Sequence, residues 1–323
     1  MKKLSIKTVA VVGTGVIGRS WIQVFARAGC TVRVFDSSPE MIASAMAWFR
    51  QDLKSLRARG AIKKKEAKAR WDRVTVAENL AVALKGVGYV QESGPERLDL
   101  KQEMYRELDR YAPAKAILGS STSAMDMTAI AEGVPGARRC IVAHPVNPPH
   151  VVPAVEILGG AATEKKVVTR TIKFMAEVGQ TPILMKKFVG GFVLNRMQAA
   201  LVREAVDLVA SGVCDVRAVD DAIRDGLGLR WALMGPCGVA NTNADEGIRQ
   251  YFTKYGSAYQ GIWASLNTNV QFDDGLIDRL GRETDSVMNA TLSAQREWRD
   301  RLVLGIRELK AATPLAAKRK QQR

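Results

Sequence analysis

Thr8-Val9-Ala10-Val11-Val12-Gly13-Thr14-Gly15-Val16-Ile17-Gly18 is the stretch on which the fold turns. A β-branched run ends in a Gly-x-Gly-x-x-Gly turn. Apolar residues then recur at helical spacing, at Val16, Ile17, Trp21, Ile22 and Phe25, and stop at Gly29. Strand, glycine turn and helix in that order make a phosphate cradle. Glycine permits the tight turn, lets a pyrophosphate approach the backbone, and lets the helix pack close on the strand. The helix opening at Val16 and Ile17 offers unbonded amides and the positive end of its dipole to an anion. The glycine pattern alone is common, but here Thr31–Phe35 reads as a second strand and ends at Asp36. An acid there accepts ribose hydroxyls and repels a 2′-phosphate, which predicts NAD over NADP. The candidate cofactor contacts are therefore Gly13, Gly15, Val16, Ile17, Gly18 and Asp36. The plainer reading of Asp36 is a cap on the turn Ser37-Ser38-Pro39.

Outward from this motif, the first half alternates strand-like and helix-like segments, the pattern of a mostly parallel sheet with crossover helices. Pro39 to Arg70 reads as a helical hairpin broken at Gly60. Strands are expected at Val74–Val76, Gly88–Gln91, Ala116–Leu118, Cys140–Ala143, Val151–Leu158 and Thr181–Met185, with helices at about Glu96–Tyr111, Asp126–Glu132 and Glu164–Val178. After Lys186-Lys187 helical periodicity dominates, as in Phe192, Leu194, Met197, Leu201, Ala205 and Leu208, and an amphipathic helix is expected around Trp298–Leu309. The fold class is α/β: a Rossmann-like domain over 1–187, its hairpin at about 39–70, then an all-helical domain over 188–323.

The chain has 323 residues, enough for two cores, and 47% hydrophobic with 25% charged residues is ordinary for a globular protein. No apolar run approaches the roughly 18–20 residues of a membrane span. The N-terminus runs directly into a strand with no cleavage-site pattern, so a cytoplasmic protein without a signal peptide is expected. The four cysteines lack metal or redox spacing, and no metal site is expected. The net charge of +15 lies partly in Lys63–Arg70 and Lys318–Arg323. No aromatics interleave these runs and no nucleic-acid motif accompanies them, which disfavours a nucleic-acid partner. A solvated face and a disordered basic tail over about 312–323 explain them, with attraction of anionic cofactors and acidic substrates as the second reading.

Histidine occurs only twice, at His144 and His150, so candidates for proton transfer near neutrality are few. His144 opens the proline-stiffened turn His144-Pro145-Val146-Asn147-Pro148-Pro149, and Glu156 follows twelve residues later on the next expected strand. A carboxylate holding one ring nitrogen leaves the other to act as base toward an alcohol. After the glycine cradle, such a pair points to hydride transfer. Glu92 and Arg97 follow the fourth strand, and the hydroxyl cluster Ser120-Ser121-Thr122-Ser123 follows the fifth, where strand ends face a cofactor cleft. Helix capping is the bland account of the hydroxyls, and a helix-start carboxylate that of the neighbouring Glu96. Asn195 is a polar residue in an apolar helical stripe, either a buried amide bonded to backbone or a donor to substrate. Arg230, in Leu229-Arg230-Trp231, is either a clamp on a substrate carboxylate or part of an interface salt bridge.

Together these segments resemble the 3-hydroxyacyl-CoA dehydrogenase superfamily over nearly the whole chain. Gly13–Trp21, His144–Pro149, Gly191–Gln198 and Asp225–Trp231 look most like its L-gulonate 3-dehydrogenase (lambda-crystallin) branch. The resemblance implies an NAD-binding Rossmann-like domain, a helical dimer-forming domain, and NAD-dependent interconversion of an L-3-hydroxy acid and its 3-oxo acid. By the same resemblance His144 is the acid/base, Glu156 orients it, and Ser123 and Asn195 bond the reacting oxygen. Cofactor contacts fall on Val16, Ile17, Asp36, Glu92 and Arg97, with Asn147 near the nicotinamide. Arg97 stands where the family usually carries lysine, His150 where it often carries an aromatic or aliphatic residue, and Met234–Asn243 departs from the gulonate branch. The alternatives are a 3-hydroxyacyl-CoA or L-carnitine dehydrogenase, with the basic arm meeting CoA phosphates in the first case, and a crystallin-like structural protein.

Overall fold

The computed structural model describes residues 4–288 and 290–313, so the basic tail expected over about 312–323 lies almost wholly outside the described residues. The chain forms two compact units, Met1–Arg196 and Met197–Arg323.

The first unit is built on an eight-stranded sheet ordered β3-β2-β1-β4-β5-β6-β7-β8. Its strands are β1 (Thr8–Val12), β2 (Thr31–Phe35), β3 (Val74–Val76), β4 (Tyr89–Glu92), β5 (Ile117–Ser120), β6 (Cys140–Pro145), β7 (Ala154–Gly159) and β8 (Thr181–Leu184). All neighbours are parallel except β6 and β7, which are antiparallel. The helices between them are α1 (Val16–Ala28), α2 (Pro39–Ala58), α3 (Lys64–Trp71), α4 (Leu80–Leu84), α5 (Leu98–Tyr111), α6 (Met127–Ile130) and α7 (Lys165–Glu177). The strands are apolar on both sides because both faces are covered. Val9, Val11, Val32 and Val34 pack with Trp21, Phe25, Phe49 and Phe174 on one face. Ala10, Val12, Val90, Leu118 and Val142 pack with Leu84, Tyr105, Leu108 and Ile130 on the other.

β7 begins at Ala154, three residues later than the sequence suggests. Pro148, Pro149 and Pro153 lack the N–H that a ladder needs. The amides of Val151 and Val152 instead turn back to the Pro148 carbonyl.

α8 (Phe192–Ala210) begins in the first unit and runs into the second. The rest of the second unit is helical: α9 (Val216–Asp221), a π-helical segment (Ala222–Leu227), α10 (Gly228–Thr242), α11 (Ile248–Ser265), α12 (Asp274–Val287) and α13 (Leu292–Ala312). α10 is broken where Gly235 has a φ of 71° ahead of Pro236. Among the described residues no helix is long and apolar enough to cross a membrane.

Candidate active site

The strand order reverses between β1 and β4, and a crevice opens there at the carboxyl ends of the strands. A cavity of about 390 Å³ occupies it, walled by Gly13, Gly15, Asp36, Glu92, Ser93 and Gly94 among others. The glycine pattern is a steric requirement at two of its three positions. Gly13 has a φ of 88°, and a Cβ there would lie 2.6 Å from the Ser93 backbone, while a Cβ on Gly18 would lie 1.9 Å from the Gly13 carbonyl oxygen. Gly15 is the opposite case, with nothing within 4 Å of a Cβ built on it. Over it, α1 starts with no capping side chain and no acid in its first turn. Helix amides left unbonded beside open space suit a pyrophosphate. The residues present therefore fit NAD.

Asp36 ends β2 at this cavity. Its Oδ2 accepts from the Thr14 amide at 2.6 Å and the Thr14 hydroxyl at 3.0 Å, and its Oδ1 accepts from the Ser38 amide at 3.0 Å. The acid thus ties the glycine loop to the next turn while lining the cleft.

The antiparallel β6–β7 pairing sets His144 directly opposite Glu156. His144 Nδ1 and Glu156 Oε2 are 2.7 Å apart, and both residues are buried, at 8% and 0% exposure. Glu156 Oε1 accepts the backbone amides of Val193 and Leu194 at 2.7 and 2.9 Å. Burial presses this carboxyl upward, but the bonds from His144, Leu194 and Val193 outweigh it and hold the group below the usual carboxylate range. An ionised carboxylate only accepts, so Nδ1 carries the proton of this bond and Nε2 is the ring nitrogen left for other partners. Gly191 and Phe192, with φ of 76° and 51°, form the left-handed bend that aims those amides at Glu156. The Phe192 ring packs edge-on to His144, centroids 5.4 Å apart.

Ser123 follows β5, its amide donating to Glu96 Oε1 at 2.8 Å, where the Thr122 hydroxyl also donates at 2.6 Å. Asn147 is exposed in the turn after β6, and Asn195 is exposed on the first turn of α8 rather than buried. Glu92, though a cleft wall, spends its carboxylate on Lys101 at 2.9 Å, Ser120 at 2.6 Å and the Gly94 amide at 2.6 Å. Arg97 is not among the cavity residues; it is exposed and pairs with Asp99. Arg230 is exposed on α10, and among the described residues no acid lies within ion-pair distance of it. Among those residues, too, no group of three His, Cys, Asp or Glu side chains gathers as a metal site would require.

The sequence reading passed over Lys101 and took Glu96 only as a helix-start acid. Lys101 is 2% exposed and bridges Glu92 to Glu96, whose Oε2 is 3.4 Å away. The signal was there: Lys101 shares the buried stripe of α5 with Tyr105 and Leu108, at spacings of four and seven.

Comparison with known proteins agrees with this geometry. Residues 8–188 match the model of the 3-hydroxyacyl-CoA dehydrogenase NAD binding domain, and 191–285 that of the 3-hydroxyacyl-CoA dehydrogenase C-terminal domain. Lambda-crystallin of Oryctolagus cuniculus is 35% identical over 94% of this chain and 96% of its own length. L-carnitine dehydrogenase of Oceanobacillus iheyensis is 38% identical over 80% of this chain and 84% of its own. Among solved structures, 5-formyl-3-hydroxy-2-methylpyridine 4-carboxylic acid 5-dehydrogenase, an NAD+-dependent dismutase, superposes with a TM-score of 0.78 at 26% identity, over 94% of this chain and 98% of that one. With a cleft that fits the dinucleotide and family matches across both units, this chain belongs to the 3-hydroxyacyl-CoA dehydrogenase family and is an NAD-dependent oxidoreductase acting on a CH–OH group.

Proposed function

We propose that the chain oxidises a small free L-3-hydroxy acid, such as a sugar acid, to its 3-oxo acid, and that a second copy of the chain completes a homodimer. The observation that carries the chemical reading is the His144–Glu156 pair, held at 2.7 Å at the same end of the sheet as the cofactor cleft. His144 takes the hydroxyl proton on Nε2, and Glu156 steadies the imidazolium through Nδ1–H. Ser123 and Asn195 donate to the oxygen as it becomes a carbonyl. When bound, NAD supplies the two-electron acceptor for the hydrogen leaving C3. Val16 and Ile17 hold its phosphates with the three glycines, Asp36 its adenine ribose, and Asn147 stands at the nicotinamide end.

Likeness to lambda-crystallin over nearly full length supports the free-acid reading, as does likeness to an L-carnitine dehydrogenase, whose named substrate is a free 3-hydroxy acid. A 3-hydroxyacyl-CoA thioester is the second reading. The exposed lysines 63–65 at the hairpin tip favour it, as cations suited to CoA phosphates. Steady-state assays with L-gulonate, L-carnitine, L-3-hydroxybutyrate and L-3-hydroxybutyryl-CoA, followed at the NADH absorbance, decide between them. A kcat/KM for every free acid far below that for the thioester overturns the first reading.

A further inference from the structure

We propose that Arg19, steadied by Trp48, binds the carboxylate of the substrate; the inference rests on the free-acid reading above. Arg19 is the fourth residue of α1. It lies three residues beyond Val16 and so on the same helix face, one turn further on. Val16 is 50% exposed, so this face looks outward from the glycine loop rather than into the sheet.

The guanidinium lies over the Trp48 ring of α2, 5.0 Å from its centroid. Trp48 in turn meets the ring of His150 at 5.2 Å, edge to face. His150 ends the turn that begins at His144, and its carbonyl accepts from Arg27 at 3.0 Å, which fastens that turn to α1. Arg19 is therefore packed, through one indole, against the loop that carries the proton-transfer residue.

Its charge is unanswered. Among the described residues no acid lies within ion-pair distance of Arg19, and its Nε is buried without an acceptor. Burial alone presses on the guanidinium and lowers its pKa. A partly buried cation without a counter-ion is unfavourable, and a planar fork fixed on an aromatic face is preorganised for a carboxylate. Arg230 is the rival, but it is exposed and has no comparable packing. The open glycine and uncapped amides of α1 already provide for the cofactor phosphates, which leaves Arg19 for the other anion of the reaction.

The test uses the full chain and whichever of L-gulonate, L-carnitine and L-3-hydroxybutyrate it oxidises best, together with the methyl ester or amide of that acid. Arg19→Gln should raise KM for the acid by about 10- to 100-fold. KM for the neutral derivative and the Kd for NADH should stay within about twofold, which also shows that the variant is folded. Arg19→Lys should fall between wild type and Gln, because an ammonium keeps the charge without the fork. Trp48→Ala should raise KM for the acid with Arg19 still present, and Trp48→Phe should restore most of it. The inference is overturned if Arg19→Gln leaves KM for the acid unchanged, or raises the NADH Kd in parallel and so assigns Arg19 to the cofactor phosphates. It also falls if Arg230→Met alone produces the acid-specific loss. If the wild-type chain turns over the thioester and none of the acids, the free-acid reading fails first, and that outcome is visible before any variant is made.

Discussion

Between Thr8 and Phe192 a core of large aromatic side chains is absorbed by its own unit: Trp21, Phe25, Tyr89, Phe174 and Phe192 are fully buried. From Met197 onward the buried apolar residues are Val206, Val209, Val239 and Ala240 among those described, while Trp263 and Trp298 are 60% and 50% exposed. The exposed residues are ordered. Trp298, Leu302, Ile306 and Leu309 form a stripe along α13 at spacings of four, four and three, and Tyr255 and Trp263, with the half-buried Tyr251 and Tyr259, form one along α11. Stripes of this kind on a helical surface mark contact with another body. The sheet unit holds the cofactor cleft and the acid–base pair around its own buried core; the helical unit carries faces that ask for a partner.

The sharpest way to break this contrast is to remove chemistry from the self-contained unit without disturbing its packing. His144→Ala should lower kcat by about 10²- to 10⁴-fold while NADH binds within a few-fold of wild type. Turnover within a few-fold of wild type would take proton transfer away from His144. On the other side of the contrast, charge on the α13 stripe should dissolve the proposed homodimer. Wild-type chain should scatter light as about twice 35.3 kDa, and a Trp298→Asp/Leu302→Asp variant as the single mass. A wild-type chain already monomeric at micromolar concentration would leave these stripes without a second copy as occupant.

Glu156 tests whether one residue joins proton transfer to chain geometry. It holds His144 and also receives the amides that open α8. Its carboxyl sits below the usual range in the folded chain, so its stabilisation is fully present above the unfolded value of about 4.3 and is lost as pH falls through the lower folded value. Glu156→Gln should cost roughly 1–3 kcal/mol at pH 7. Thermal melts of this variant between pH 3 and 7 should show a shallower acid-side fall than wild type. Parallel curves would mean that the carboxylate contributes nothing through its charge.

What could be read from the sequence was local. The glycine turn, Asp36 and the proline-stiffened His144 turn each depend on a few neighbouring residues and on backbone freedom or restriction there. The pairing of His144 with Glu156 was legible too, because a hairpin-like return places it by register. What stayed hidden depends on packing between distant elements. Glu96 was read as a helix-start acid, yet it reaches the amide of Ser123 across β4 and β5. Glu92 was read as a cofactor contact and lines the cleft, but the hold of Lys101 and Ser120 on its carboxylate was not legible. Arg19 was invisible because nothing in the sequence says that residue 48 will lie under its guanidinium.

The smallest expected effect probes an exception within the sheet unit. Asp52 on α2 accepts from Gln23 Nε2 at 2.7 Å between α1 and α2. Burial pushes its carboxyl up to about 6, although Arg59, Arg70 and Arg27 pull the other way. A raised carboxyl value means that folding binds a proton. Ionised Asp52 therefore destabilises the chain fully above about pH 6 and not at all below its unfolded value of about 3.9. Asn can accept the same bond from Gln23 without the charge, so Asp52→Asn should stabilise by roughly 1–2 kcal/mol at pH 8 and by almost nothing at pH 4. At about 2–4 °C per kcal/mol, the Tm difference should close steadily as the buffer is acidified. A destabilised variant at pH 8 would show that the three arginines hold Asp52 as a working ion-pair partner rather than leaving its charge unanswered.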